Sequence, residues 1–187
     1  MLQVITDINT NIPLERIKEL LIEAYKIAQN SPDPSTQNGA LLVTDSKEGN
    51  VFASDCNRFP DGVPDRIRRN EEVVDRWEKP IKYKYVEHAE RNVIYQVAKA
   101  GEDYFTENAV MVCPWAACTD CARAIIQAGI TTLVTHKQAH DHGSETWLDE
   151  IALAFTMLEE AGVDIVMYDG DLKSGLEVRH GGKIWTP

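Results

Sequence analysis

The stretch 109-AVMVCPWAACTDCARAIIQAGITTLVT-135 decides the fold. Ala109–Cys113 is a short apolar run that reads as a buried strand, and Pro114 ends it. Thr119 to Gly129 carries the helical apolar period, with the glycine closing the last turn. Thr131–Thr135 is a second short apolar run and reads as another strand. Strand, helix and strand in direct succession make a unit of a layered α/β fold, in which a helix covers a sheet. Within the unit, Cys118 and Cys121 stand at i and i+3 where the helix begins, so their side chains share a face. A helix N-terminus stabilises thiolates, and so does a metal.

The rest of the chain extends the same pattern. Pro13 to Gln29 reads as a helix through Ile17, Leu20, Leu21, Ala24 and Ile27–Ala28, and Asn30–Pro34 stops it. Residues 39–45 and 51–56 read as two strands around a Ser46–Asn50 turn. Residues 57–86 form a long, charged connection containing Pro60, Pro64 and Pro80, with a short helix expected over Ile67 to Trp77. A connection of this length in a compact domain is commonly functional. His88 to Gly101 reads as a second helix. Ser144 to Gly162 reads as a fourth, with Ser144 as its cap. Val163–Tyr168 reads as the fifth strand. The tail, 170–187, contains Gly175, Gly181 and Gly182 and reads as a terminal hairpin. We expect a single domain over 1–187, with a C-terminal extension at about 169–187.

Composition excludes several classes. The net charge of −11 argues against a nucleic-acid polymer or an anionic membrane as partner, since either needs a broad basic footprint. A small anionic ligand is compatible, because a local cationic pocket suffices. No apolar stretch approaches the ~18–20 residues of a transmembrane helix. The N-terminus, MLQVITDINTN, lacks a basic region followed by an apolar run and does not read as a secretory signal. Four cysteines, two of them in Cys-x-x-Cys, fit a reducing, cytoplasmic setting better than a disulfide framework.

Two motifs carry the chemistry. One is His88-Ala89-Glu90, and the other is Cys118-Thr119-Asp120-Cys121. A lone Cys-x-x-Cys reads equally as a redox pair, two buried thiols or a metal site. With His-x-Glu upstream, and with both motifs opening helices, it reads as a Zn2+ site held by His88, Cys118 and Cys121. Catalytic zinc uses three protein ligands and leaves one position for water. Glu90, two residues from a ligand yet not itself one, fits a proton shuttle; its bland alternative is a solvated helix glutamate.

This pattern, His-x-Glu followed by Cys-x-x-Cys, resembles the cytidine and deoxycytidylate deaminase superfamily. The stretches 88-HAERN-92, 121-CARAIIQAGI-130 and 57-NRFPDGVPD-65 are most similar to its deoxycytidylate branch, and the likeness runs over roughly residues 14–168. One departure is that Ala117 precedes the first cysteine where the family usually has proline; Pro114 lies three places earlier. The resemblance implies a three-layer α/β/α fold with a central five-stranded mixed sheet flanked by helices. It implies hydrolytic deamination of dCMP to dUMP and ammonia, with Glu90 as the catalytic group and Ala89 at the substrate. It also implies a homo-oligomer, dimer or hexamer, with dCTP and dTTP as effectors. The enzymatic alternatives are deamination of another small base or nucleoside, such as cytidine or guanine. A zinc-stabilised nucleotide-binding protein without turnover is the alternative from another class.

Other substrate contacts have paired readings. The resemblance places Asn57 against the nucleotide, while its type also suits a turn. Arg58, Arg66, Arg68 and Arg69 offer guanidinium forks for a 5′-phosphate; singly, each also suits pairing with Asp65, Glu71 or Glu72. Trp115 reads as a stacking cover for a flat base or as core. His136, His140 and His142 read as solvated loop histidines, and Cys56 and Cys113 as buried small hydrophobes. Lys82, Tyr83 and Tyr85 resemble the family's approach to its zinc helix, without an assigned role.

Overall fold

A computed structural model describes residues 10–101, 106–143 and 145–187. The expectations for the N-terminal stretch 1–9 and for Ser144 as a cap lie outside the described residues. In chain order the elements are α1 (Leu14–Ala28), β1 (Gly39–Thr44), β2 (Val51–Cys56), β3 (Arg66–Arg69), β4 (Glu72–Asp75) and α2 (Lys82–Tyr85). Then follow α3 (Ala89–Ala100), β5 (Ala109–Val112), α4 (Thr119–Gln127), β6 (Thr132–His136), α5 (Lys137–Asp141), α6 (Glu145–Glu160) and β7 (Asp164–Tyr168). The tail adds β8 (Val178–His180) and β9 (Lys183–Trp185).

The central sheet has five strands in the order β2-β1-β5-β6-β7. β1 pairs antiparallel with both β2 and β5, whereas β5, β6 and β7 run parallel, so the sheet is mixed. Side chains alternate across it with the period of two that strands impose. Leu42, Met111, Leu133 and Met167 face the core shared with α3, α4 and α6. Leu41, Val43, Val110, Val112, Val134 and Val166 face α1 and the C-terminal tail on the other side. Three layers, α/β/α, result. Gly39 lets α1 sit close on β1: a Cβ there would lie 2.3 Å from the Ala24 carbonyl oxygen and 2.6 Å from the Ala28 nitrogen.

One element differs in kind from expectation. Residues 67–77 are not a helix. Arg66–Arg69 and Glu72–Asp75 form a two-stranded hairpin, turned by Asn70 and Glu71 at φ 50° and 69°. Both turn residues have positive φ, the geometry of the tight hairpin turn that matches strand twist. The register sets Arg66 opposite Asp75 and Arg69 opposite Glu72, so opposite charges face each other across the strands. The expected terminal hairpin does form as β8 and β9.

Candidate active site

His88 and Cys118 are the N-caps of α3 and α4, and Cys121 lies in the first turn of α4. Both helices therefore point their positive ends at one place. The Cys118 Sγ to His88 Nδ1 distance is 3.5 Å, Cys121 Sγ to His88 Nδ1 is 3.4 Å, and the two sulfurs are 3.5 Å apart. Tetrahedral zinc, with bonds of roughly 2.3 Å to sulfur and 2.0–2.1 Å to nitrogen, needs donors spaced by roughly 3.5–3.8 Å. One imidazole and two thiols at this spacing fit that ion. Among the described residues, this is the one group of three such donors close enough to hold a metal.

The electrostatics suit thiolate ligands. The Cys118 thiol is pulled down to about 3 by its hydrogen bond with Cys121, aided by His88 against the effect of burial. Cys121 is pushed up, first by that same bond and then by burial. The pair thus holds one negative charge readily and resists the second, which a divalent cation would compensate. Arg91, one turn into α3, adds a nearby cation: its Nη1 donates to Cys121 Sγ at 3.5 Å, and it also pairs with Glu87. Burial lowers the His88 pKa, but the hydrogen bond to Cys118 and the charge of Glu90 outweigh it and leave it raised.

Glu90 is 2 % exposed, and its Oε2 has no hydrogen-bond partner. Burial pushes its pKa up. A carboxyl group poised in this way, beside a metal site and on a cavity wall, is suited to take and give protons. That cavity, of about 290 Å³, is lined by His88, Glu90 and Cys118 at the metal site, and by residues of the 33–38 loop, Trp115, α5 and the tail hairpin.

The other expected contacts divide. Trp115 is buried, donates from Nε1 to the Gln37 carbonyl at 3.0 Å, and stacks on His180 at 4.0 Å while lining the cavity. It is both wall and core. Asn57 reaches the cavity, but its amide is spent on the protein. Nδ2 donates to Asp33 Oδ2 and the Thr36 carbonyl, and Oδ1 accepts from the Asn38 N–H. Asn57 thereby fixes the 33–38 loop. Ala89 is fully buried in the core on α3, and its side chain is not on the cavity wall.

None of Arg58, Arg66, Arg68 and Arg69 lines the cavity. Arg58 forks onto Asp55 with Nε and Nη2 at 3.1 and 3.0 Å and also pairs with Asp61. Arg66 pairs with Asp75 across the hairpin at 3.0 Å, and Arg68 and Arg69 are exposed there. The cations of the wall are instead Lys79 and Lys82. Lys82 is buried and bonded to Asp33 at 2.7 Å. His136 is not solvated: it ends β6 fully buried, between the Tyr25 hydroxyl and the Gly170 carbonyl, each at 2.9 Å. His140 lines the cavity. Asp33, Asn38, Lys82, His140 and His180 all reach the site from segments with no motif spacing. Only Lys82 had a sequence signal, its place just before His88.

With this geometry in view, similarity to known proteins is informative. The sequence pattern of the cytidine and deoxycytidylate deaminase zinc-binding region matches residues 14–137. Human deoxycytidylate deaminase is 32% identical over 154 residues, covering 80% of this chain and 78% of that protein. The mouse enzyme of the same name is 31% identical over 137 residues, covering 71% of each. A protein of Aliivibrio fischeri, named an uncharacterized deaminase, is 31% identical over 142 residues, covering 76% of this chain and 86% of that one. The crystal structure of the cyanophage S-TIM5 dCMP deaminase in complex with dCMP and dUMP shares the fold. Its TM-score is 0.58 at 19% identity, over 84% of this chain and 99% of that one. Together with the His88, Cys118 and Cys121 cluster, these matches show that the chain belongs to the cytidine and deoxycytidylate deaminase family and carries that family's zinc-binding region.

Proposed function

We propose that this protein hydrolyses dCMP to dUMP and ammonia, with His88, Cys118 and Cys121 holding zinc and Glu90 moving the protons. The observation that carries the reading is the buried Glu90 carboxylate with a free oxygen, on the same cavity wall as His88 and Cys118. When bound, zinc supplies Lewis-acid activation of water at neutral pH. Glu90 accepts a proton from the attacking water and passes it to ring N3 as the C4–O bond forms. It then takes the proton of the new C4 hydroxyl and delivers it to the 4-amino group; the C4–O bond becomes a carbonyl as the C4–N bond breaks, and ammonia leaves. Trp115 walls the pocket and helps to exclude bulk water.

The choice of a nucleotide rests on the deoxycytidylate deaminases among the relatives and on the cations of the wall. Lys82 is committed to Asp33. Lys79 is exposed and has no carboxylate partner among the described residues, so we assign it, rather than the arginines of 58–69, to the 5′-phosphate. The test is ammonia release from a panel of cytosine and purine nucleotides, nucleosides and bases. We expect dCMP to be preferred over deoxycytidine, and Lys79→Ala to raise KM for dCMP. Equal turnover of dCMP and deoxycytidine by the intact protein would move the assignment to a nucleoside or base deaminase.

A further inference from the structure

Among the described residues, three buried side-chain polar atoms have no hydrogen-bond partner: Asn38 Oδ1, Glu90 Oε2 and His140 Nδ1. All three residues line the same cavity. A buried group left unpaired is costly, so three in one place mark where a ligand completes the bonding. Glu90 has its task in the proposed reaction. Asn38 has none, and its surroundings define what it can meet.

Asn38 is 8 % exposed and immediately precedes β1. Its backbone is held on both sides, because its N–H donates to Asn57 Oδ1 at 2.7 Å and its carbonyl accepts from the Asn57 N–H at 3.1 Å. Its Nδ2 donates to Cys113 Sγ at 3.1 Å. Cys113 is fully buried at the end of β5. Burial, and then the neighbouring Glu90 carboxylate, push its thiol up, so Cys113 stays a neutral thiol. The sulfur is left as an acceptor and takes the amide N–H of Asn38. With Nδ2 on that sulfur, the oxygen is the unpaired end of an amide whose residue lines the cavity. Asn38 and Glu90 line the same cavity.

We propose that Asn38 is a substrate contact that reads the group the reaction removes. Its free oxygen accepts a hydrogen bond from the exocyclic amine of the substrate base. The product carries a carbonyl at that position, an acceptor like Asn38 Oδ1 itself, and offers it no hydrogen. Asn38 therefore favours substrate over product and assists release. The inference rests on the deaminase reading above, and deepens it.

The test compares the intact protein with Asn38→Leu, close in shape but without the acceptor. It uses the best substrate of the ammonia-release panel and its deaminated product as inhibitor. We expect kcat/KM to fall roughly ten-fold or more, in line with one lost buried hydrogen bond. The inhibition constant of the product should stay within about three-fold, and the melting temperature should change little, because removing the unpaired acceptor offsets losing the bond to Cys113 Sγ. Should the leucine variant not fold, Asn38→Ala, which adds no atoms, carries the same comparison. Substrate and product weakening by one factor, or neither changing, would overturn the assignment while leaving the deaminase reading intact. No ammonia from any compound of the panel would overturn both.

Discussion

Lys82 and Asp33 form a buried ion pair on the cavity wall, at 6% and 1% side-chain exposure. Asp33 also accepts from the Ser35 and Thr36 N–H groups and from Asn57. Removing the lysine alone leaves a carboxylate in low dielectric with only dipoles around it. Lys82→Met should therefore destabilise by about 3–5 kcal/mol, and adding Asp33→Asn should recover much of that. Denaturant titration of the single and double variants checks this; equal stability of all three would show the pair to be incidental. Glu90 is predicted to behave differently. Glu90→Gln should retain zinc and fold, yet lose roughly 10²–10⁴-fold in kcat, because only proton transfer is removed. Metal analysis beside turnover decides it, and near-normal kcat would exclude Glu90 as the shuttle. Conversely, Cys118→Ala together with Cys121→Ala should abolish zinc binding and lower stability. Full zinc occupancy in that double variant would defeat the ligand assignment. The His88, Cys118 and Cys121 cluster, with Glu90 beside it, was legible in the sequence because each motif is local and opens a helix. Asp33, Asn38 and His140 were not, since only the tertiary fold brings them to the cavity wall.

At the scale of elements, legibility follows the length of the periodic pattern. Helix α1 and strands β1, β5, β6 and β7 stand where apolar periodicity placed them, because each buries a face against a neighbour. The hairpin of 66–75 escaped that reading. Its strands are short and largely exposed, and its turn is Asn70-Glu71 rather than the Asn-Gly that signals such a turn. Glu71 holds a positive φ that a side chain disfavours, at a cost of roughly 1–2 kcal/mol. Glu71→Gly should accordingly stabilise the protein by about 1 kcal/mol, read as a higher melting temperature. A lower one would show that the Glu71 side chain contributes more than the strain costs. Gly39 makes the opposite case. Gly39→Ala drives a Cβ into the backbone of α1, so the helix must lift from β1, and a loss of about 1–3 kcal/mol or more is expected.

At the scale of the molecule, His136 joins three parts of the chain. It ends β6, accepts from the Tyr25 hydroxyl of α1 at Nδ1, and donates from Nε2 to the Gly170 carbonyl at the start of the tail. Tyr25, whose pKa is raised by burial, keeps its proton and remains the donor. The Trp185 ring of β9 packs near both, so α1, the sheet and the tail hairpin share one aromatic cluster. His136 must be neutral to serve both partners, and burial lowers its pKa. His180, on the cavity wall, is lowered too, by burial first and then by His142. The direction of the pH dependence follows. Below about pH 6.5, the unfolded chain protonates these histidines at their ordinary pKa while the folded chain resists. The unfolded state then binds more protons, so stability is full above about pH 6.5 and falls as pH drops towards the folded pKa. Melting temperatures of the zinc-loaded protein should decline between pH 7.5 and pH 5. His136→Gln should start lower, having lost shape and bonds, but decline less steeply. Metal release in acid acts with the same sign in both proteins, so the difference in slope isolates the histidine. An identical slope in the variant would assign the acid sensitivity to the metal ligands and carboxylates instead of to the joint between β6 and the tail.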